Sequence, residues 1–159
     1  MRTPCIIESP FAGCVPLNRA YLEACIRDSI SRGETPYASH KMLTDALDDL
    51  NPEERKTGIQ AGLDLRQQLI EKCGAVVAYY TDLGWSSGME AAAQTPAPDT
   101  RDRLIAPELW SFVFTFVKER HSSYRDKFFW ELVRGRSKEL STKNALIEAR
   151  ALFLDQVKP

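Results

Sequence analysis

The hydrophobic positions in the first part of the chain predict alternating strands and helices. The apolar run of PCIIESPF (4–11) is broken by Ser-Pro, which predicts a buried strand that ends in a loop. In LNRAYLEACIRDSISRG (17–33) the apolar residues recur at helical spacing and a glycine follows, so a helix is predicted there. TPYASH (35–40) predicts a second, short strand or extended segment, and a short helix follows it.

The next two elements have the clearest signals. Asn51 is a capping residue, Pro52 suits the first helical position, and two glutamates follow in the first turn, so a helix is predicted from Pro52 to about Lys72. GAVVAYYT (74–81) is apolar almost throughout, which is typical of a strand that is covered on both faces of a parallel sheet. The apolar stripe predicted for the helix contains Ile59, Gly62, Leu65, Leu69 and Ile70.

The second part of the chain has a different pattern. QTPAPDTRDR (94–103) contains two prolines and several charges and predicts a linker or boundary. Helices are predicted near 107–120, 122–134 and 141–157. LWSFVFTFV within the first of them has strand propensity, but the proline and charged residues on either side favour a helix.

The order strand, helix, strand, helix, strand, loop, helix predicts an α/β fold. We expect a flavodoxin/Rossmann-like open parallel sheet flanked by helices, with an α-helical C-terminal extension. The predicted domains are an α/β domain at 1–95 and the helical extension at 96–159. The extension has more aromatic side chains than one helix stripe can bury, so we expect it to pack on the sheet or on a partner subunit in a homo-oligomer, most simply a dimer.

Composition narrows the class of protein. The net charge of −1 gives no electrostatic reason to expect nucleic-acid or membrane binding. The apolar runs are far shorter than the ~20 residues that a membrane span needs, and residues 1–15 have no signal-peptide pattern, so a cytoplasmic protein is expected. The four cysteines form no CxxC pair, which favours reduced and mostly buried thiols; no metal or cofactor is predicted.

Ligands of open parallel sheets bind beyond the carboxyl ends of the strands, and two loops have that position. The first runs from Glu8 to Gly13 and the second from Asp82 to Met89. In the second, glycines allow close approach of a ligand, and the serines can cap a helix or bond a ligand oxygen. A capped helix after a simple turn explains the same residues equally well. His40 is a further candidate, because it ends a predicted central strand.

These pieces together resemble a known family. IIESPFAG, Asn18, PYASH (36–40), LDDLNPEERKTGIQAG (47–62) and SSGMEAA (86–92) are similar to small phage and bacterial relatives of nucleoside 2-deoxyribosyltransferases, which include deoxynucleoside monophosphate N-glycosidases. The resemblance covers about residues 4–93.

The resemblance implies a flavodoxin-like fold that binds a nucleoside or nucleotide and cleaves its N-glycosidic bond. In that chemistry a carboxylate attacks the anomeric carbon and a second acid assists the leaving base. The implied catalytic residues are Glu90 and Asp82. The implied substrate-binding residues are Ser9, Pro10, Phe11, Gly13, Asn18, His40, Ser86, Ser87 and Gly88.

The sequence departs from the family pattern at two positions. The nucleophilic glutamate usually follows the loop glycine by four residues, which here is Ala92. Glu90 lies two residues earlier, and on a helix that rotates a side chain by about 200°. Arg66 also stands where the classical enzymes have an acid. The alternative hypothesis is therefore a protein that binds a nucleotide without cleaving it, as a sensor or sequestering protein.

Overall fold

A sheet of four parallel strands is the centre of the fold in the computed structural model, which describes residues 1–11, 15–48 and 50–120. The strands lie in the order β2-β1-β3-β4. Their parallel ends define one carboxyl edge of the sheet. This architecture is the predicted open α/β class. The strands are β1 (Thr3–Glu8), β2 (Glu34–Tyr37), β3 (Val76–Tyr80) and β4 (Thr100–Arg103).

Helices cover both faces of this sheet. One face packs against α1 (Val15–Ser31) and α5 (Leu109–Arg120), and the other against α3 (Pro52–Cys73) and α4 (Ser87–Ala93). A short helix, α2 (Ser39–Ala46), lies against α3. All five residues of β3 are buried, which confirms the strand predicted from its continuous apolar run.

The ends of α3 confirm the start signal in the sequence. The side chain of Asn51 accepts hydrogen bonds from the backbone N–H groups of Glu53 and Glu54, and Pro52 is the first helical residue. The helix ends at Gly74, whose φ of 60° is the left-handed conformation that glycine adopts without a steric penalty.

The buried stripe of α3 differs from the predicted one. Gly58, Gly62, Arg66 and Ile70 are its buried residues, whereas Ile59 is 57% exposed. The reason is the close approach of α2, because a Cβ atom at position 62 would lie only 3.2 Å from the Cβ of Ser39. Gly62 and Ile70 of the predicted stripe are buried, whereas apolar spacing alone did not indicate the burial of Gly58 and Arg66 and misplaced Ile59.

Two further predictions are corrected by the sheet. Residues 94–103 are not a simple linker, since β4 pairs with β3 and the sheet continues past the predicted boundary at residue 95. β2 is an edge strand and His40 belongs to α2, so His40 does not end a central strand. Pro36 fits that edge position because it has no N–H to donate to a neighbouring strand.

The predicted helix at 107–120 is confirmed by α5, and the helices predicted near 122–134 and 141–157 lie outside the described residues. In the part of the chain that is described, no helix is long and apolar enough to cross a membrane. Cys5 and Cys25 are buried thiols, whereas Cys73 is exposed.

Three buried carboxylates hold residues 103–106, at the end of β4, against the face of the sheet that α1 covers. Asp82 accepts from the N–H of Ile105, 3.0 Å away, and Asp28 accepts from the N–H of Ala106, 3.2 Å away. Glu34 makes a bidentate ion pair with Arg103, with N–O distances of 2.7 and 2.6 Å. All three acids are at most 5% exposed. They therefore converge on residues 103–106 from α1, β2 and the loop after β3.

The ion pair between Glu34 and Arg103 links the two edge strands of the sheet. Both side chains are less than 8% exposed, and the Ser29 hydroxyl also donates to Glu34 at 2.8 Å. The hydrogen bonds from Arg103 hold the pKa of Glu34 at about 2, against an ordinary 4.5. Removal of either partner would leave the other charge buried without compensation.

We expect Arg103→Met to lower the free energy of unfolding by about 3 kcal/mol, because it leaves the Glu34 carboxylate buried and unpaired. Urea denaturation followed by circular dichroism measures this. Arg101→Met is the matched control in the same strand: Arg101 pairs with Asp99 on the surface, and its loss should leave the denaturation midpoint unchanged. Equal midpoint shifts for the two variants would contradict a structural role for the buried pair.

The same pair predicts a pH dependence of stability. The pKa of Glu34 is lower in the folded state, so the unfolded state binds more protons between pH 4.5 and about 2. The contribution of the pair is present above pH 4.5 and is lost as the pH falls through that window. The difference in unfolding free energy between wild type and Glu34→Gln should therefore shrink on acidification. A difference that is constant across the window would show that Glu34 has no depressed pKa.

Candidate functional site

Four of the predicted site residues lie together beyond the carboxyl end of β1. The Ser9 hydroxyl is buried and lies 3.2 Å from Nε2 of His40, and the Phe11 ring meets the imidazole edge-on at 5.8 Å between centroids. Asn18, in the first turns of α1, donates from its side chain to the carbonyl of Phe11 at 2.9 Å. We call these four residues the Ser9–His40 cluster. Pro10 is buried between two of its members.

Helix α2 presents His40 to this cluster. It is tied to α1 by two ion pairs, Arg19 with Asp45 at 2.8 Å and Lys41 with Glu23. On its other side it lies against the glycines of α3. His40 is therefore held at the edge of the sheet by a helix that bridges two others. Gly13, the other predicted residue of the β1 loop, lies outside the described residues.

Partial burial of His40 keeps its imidazole neutral over a wider pH range than in water. Desolvation lowers its pKa to about 4, against an ordinary 6.5, so the imidazole is neutral at neutral pH. A neutral imidazole donates from one ring nitrogen and accepts at the other, and the Ser9 hydroxyl can take either role. The cluster thus offers uncharged hydrogen-bonding groups and one aromatic ring.

A buried ion pair lies at the end of the same strand. Glu8 is the last residue of β1, and its Oε1 is 3.3 Å from Nε of Arg66. Arg66 also donates from Nη2 to the carbonyl of Ala92 in α4, at 3.3 Å. Its side chain is 5% exposed and that of Glu8 is 15% exposed. We call this the Glu8–Arg66 pair; it joins β1, α3 and α4 at the carboxyl edge.

The groups around this pair include hydrogen-bonding atoms without a partner. Within the described residues, Nη1 of Arg66 and the hydroxyl of Tyr37 are buried and make no hydrogen bond. Burial raises the pKa of Glu8, while the charge of Arg66 acts in the opposite direction. Burial also raises the pKa of Tyr79, which lies opposite Glu8 in the sheet register. The pair therefore carries unused hydrogen-bonding capacity.

An aromatic stack continues the edge towards β4. The rings of Tyr79 and Trp85 stack at 5.0 Å between centroids, and Trp85 is 45% exposed. An open groove of about 390 Å³ borders this stack between the end of α4 and β4. Nowhere in the described part of the chain do three His, Cys, Asp or Glu side chains group closely enough to hold a metal ion.

The predicted loop before α4 forms a capped helix start. Ser86 is the N-cap, and its hydroxyl accepts from the N–H of Met89 at 3.3 Å. Ser87 and Gly88 are exposed in the first turn. Gly84 has a φ of 79°, so the turn requires glycine there. The cap accounts for Ser86, whereas Ser87 and Gly88 keep exposed surface.

Each of the two predicted catalytic acids has an environment of its own in the described structure. Glu90 is exposed in the first turn of α4, while Met89 and Ala92 are the buried residues of that helix. Asp82 has no exposed surface and bonds to the Tyr21 hydroxyl and to the N–H of Ile105, on the α1 face. Among the described residues, neither acid forms a hydrogen bond with Ser9 or His40.

Sequence reasoning did not single out Glu8 and Arg66 as a site. One signal was available for Glu8, an acid that ends an apolar strand directly before Ser-Pro. A second was the spacing of Arg66, which follows Gly58 and Gly62 in steps of four and so lies on the same face of α3.

The environment of His40 is testable by NMR. We expect its imidazole proton resonances to titrate near pH 4, because burial penalises the charged form. Its folded pKa lies below its unfolded value, so its contribution to stability is present above pH 6.5 and is lost as the pH falls towards 4. The His40→Asn spectrum assigns the resonance. A titration midpoint at 6.5 would mean that His40 is solvated and not part of a closed cluster.

Fold and site together define an α/β protein with an open parallel sheet and a polar cluster at its carboxyl edge. The family described as Domain of unknown function (DUF7768) matches residues 3–100, and the chain belongs to this family. The match spans β1 to the first residue of β4. No curated protein and no solved structure matches the chain.

Proposed function

We propose that the protein binds a nucleoside or nucleotide at the carboxyl edge of β1 and β3 and cleaves its N-glycosidic bond with a carboxylate nucleophile. The observation that carries the proposal is the convergence of Ser9, Phe11, Asn18 and His40 at this edge. Ligands of open parallel sheets bind at that place. Support for the substrate class comes from the resemblance of residues 4–93 to the nucleoside 2-deoxyribosyltransferase family.

The chemistry of the cluster is consistent with a sugar ligand. Ser9 and the neutral imidazole of His40 can bond sugar hydroxyls without a charge to compensate. Phe11 supplies an apolar surface for the ring of the base. Ser87 and Gly88, exposed at the start of α4, are the groups we assign to the ligand on the β3 side. Such a role fits the cytoplasmic location expected from the sequence.

A second candidate function is nucleotide binding without cleavage. One observation favours it. Ala92, which is buried in α4, stands where the relatives of nucleoside 2-deoxyribosyltransferases have their nucleophile, and Glu90 is exposed. A site that keeps its binding groups and loses its reacting carboxylate serves a sensor or a sequestering protein. The two candidates share the same ligand and differ in turnover.

The test is incubation of the purified protein with each deoxynucleoside, each ribonucleoside and their 5′-monophosphates, with chromatographic detection of free base. Release of base from at least one compound is expected. Thermal denaturation with the same compounds measures binding, since a ligand of the folded state raises its stability. A raised melting temperature without base release supports the second candidate. Absence of both effects across the panel rules out both.

A side-chain variant links the activity to the cluster. Ser9→Ala should raise KM about 10-fold, because one hydrogen bond to the ligand is lost. Ser111→Ala is the matched control, since Ser111 lies on α5 and its hydroxyl bonds only the Glu108 carbonyl among the described contacts. Equal kinetics for the two variants would place the ligand elsewhere.

The expected dimer stays a proposal. Most of the aromatic-rich extension on which it rests lies outside the described residues, and light scattering of the full chain measures the oligomeric state directly.

A further inference from the structure

The structure points to a different carboxylate from the one that the loop pattern suggests. In α4 the buried positions are held by Met89 and Ala92, and Glu90 is exposed. The backbone carbonyl of Ala92 is bonded by Arg66, which reaches it from α3. The buried side of α4 therefore presents the side chains of Met89 and Ala92, and the Arg66 guanidinium lies next to Ala92.

The carboxylate nearest to this guanidinium is that of Glu8. Both partners of Arg66 lie at the carboxyl edge, Glu8 through Nε and the Ala92 carbonyl through Nη2, each at 3.3 Å. The Arg66 side chain thus connects Glu8 to Ala92, the residue at the nucleophile position of the nucleoside 2-deoxyribosyltransferase relatives. Glu8 also directly precedes Ser9 in the chain, so both residues lie at the carboxyl end of β1.

The surroundings of Glu8 fit a reacting group better than a structural one. Its side chain keeps 15% of its surface exposed, which leaves access for a small ligand, whereas that of Glu34 in the other buried ion pair keeps 7%. The contact with Arg66 is a single hydrogen bond at 3.3 Å, whereas Glu34 and Arg103 form two at 2.7 and 2.6 Å. Within the described part of the chain, the second carboxylate oxygen of Glu8 accepts no hydrogen bond.

We propose that Glu8 is the nucleophilic carboxylate of this site, in place of an acid on α4. The inference rests on the proposed glycosidic cleavage. A Glu8 oxygen forms a bond to the anomeric carbon while the bond from that carbon to the base nitrogen breaks. The electron pair leaves with the base, which takes a proton from solvent. Water then attacks the anomeric carbon of the ester, loses a proton to solvent, and releases the sugar and the Glu8 carboxylate.

Arg66 acts as a positioning residue in this scheme. Burial raises the pKa of Glu8, and the charge of Arg66 opposes that rise and so favours the ionised form, which is the form that attacks. Its bond to the Ala92 carbonyl fixes the guanidinium between α3 and α4. The buried Nη1 without a partner is available to a ligand oxygen that enters beside Glu8.

The first test compares Glu8→Gln with Glu90→Gln on whichever nucleoside or nucleotide the wild type cleaves. Glu8→Gln keeps the size of the side chain and an oxygen for Arg66, and should reduce kcat on the order of 1,000-fold or more. Glu90→Gln should reduce kcat far less than Glu8→Gln does. Wild-type activity in Glu8→Gln, or loss of activity in Glu90→Gln alone, would overturn the role of Glu8 and leave the proposed function standing. A wild type that releases no base overturns both.

The second test needs no variant and so does not depend on the folding of Glu8→Gln. Wild-type protein is quenched in acid during turnover, digested with trypsin and analysed by mass spectrometry for a peptide that carries the sugar. The tryptic peptide 3–19 has Glu8 as its only carboxylate side chain, and peptide 73–101 contains Asp82 and Glu90. The sugar mass on peptide 3–19 supports the proposal. The sugar mass on peptide 73–101 refutes it.

Discussion

The fold depends on the capture of residues 103–106 by three buried carboxylates. Asp28, Glu34 and Asp82 come from α1, β2 and the loop after β3, and each bonds a group in that short segment. A buried carboxylate is unfavourable unless hydrogen bonds and opposite charge satisfy it. Each acid therefore loses one of its buried hydrogen-bond partners when β4 and the start of the next connection are displaced. The acids make the sheet and its α1 layer one cooperative unit.

The parts of the fold that were predicted are those with local signals. The cap at Asn51, the apolar run of β3 and the helical spacing of α1 all act within a few residues. β4 escaped prediction because its residues are polar and only Arg103 is buried. The partner that explains this burial, Glu34, is 69 residues away in sequence. Periodicity cannot register such a pair, since each member alone reads as a surface charge.

The candidate site could likewise be predicted only where its residues have local sequence signals. The loop after β1 and His40 were identified from their positions beside strands, although α2 and not a central strand carries the histidine. The Glu8–Arg66 pair joins residues 58 apart and depends on the face that α3 buries. That face is determined by how closely α2 approaches the glycines of α3, which is a property of two packed helices. The sequence alone therefore located the carboxyl edge of the sheet but not the Glu8–Arg66 pair at that edge.

Helix α2 is attached far less firmly than the sheet on which the cluster is built. None of its residues is fully buried, and the side chains in its ion pairs to α1 are 28–51% exposed. Exposed ion pairs weaken as dissolved salt screens them, whereas burial shields the ion pair between Glu34 and Arg103 from salt. The imidazole and the Ser9 hydroxyl that it meets thus belong to regions of different local stability. Higher ionic strength therefore weakens the attachment of α2, which carries His40, more than it affects the sheet, which carries Ser9. The two sides of the candidate site differ in their sensitivity to salt.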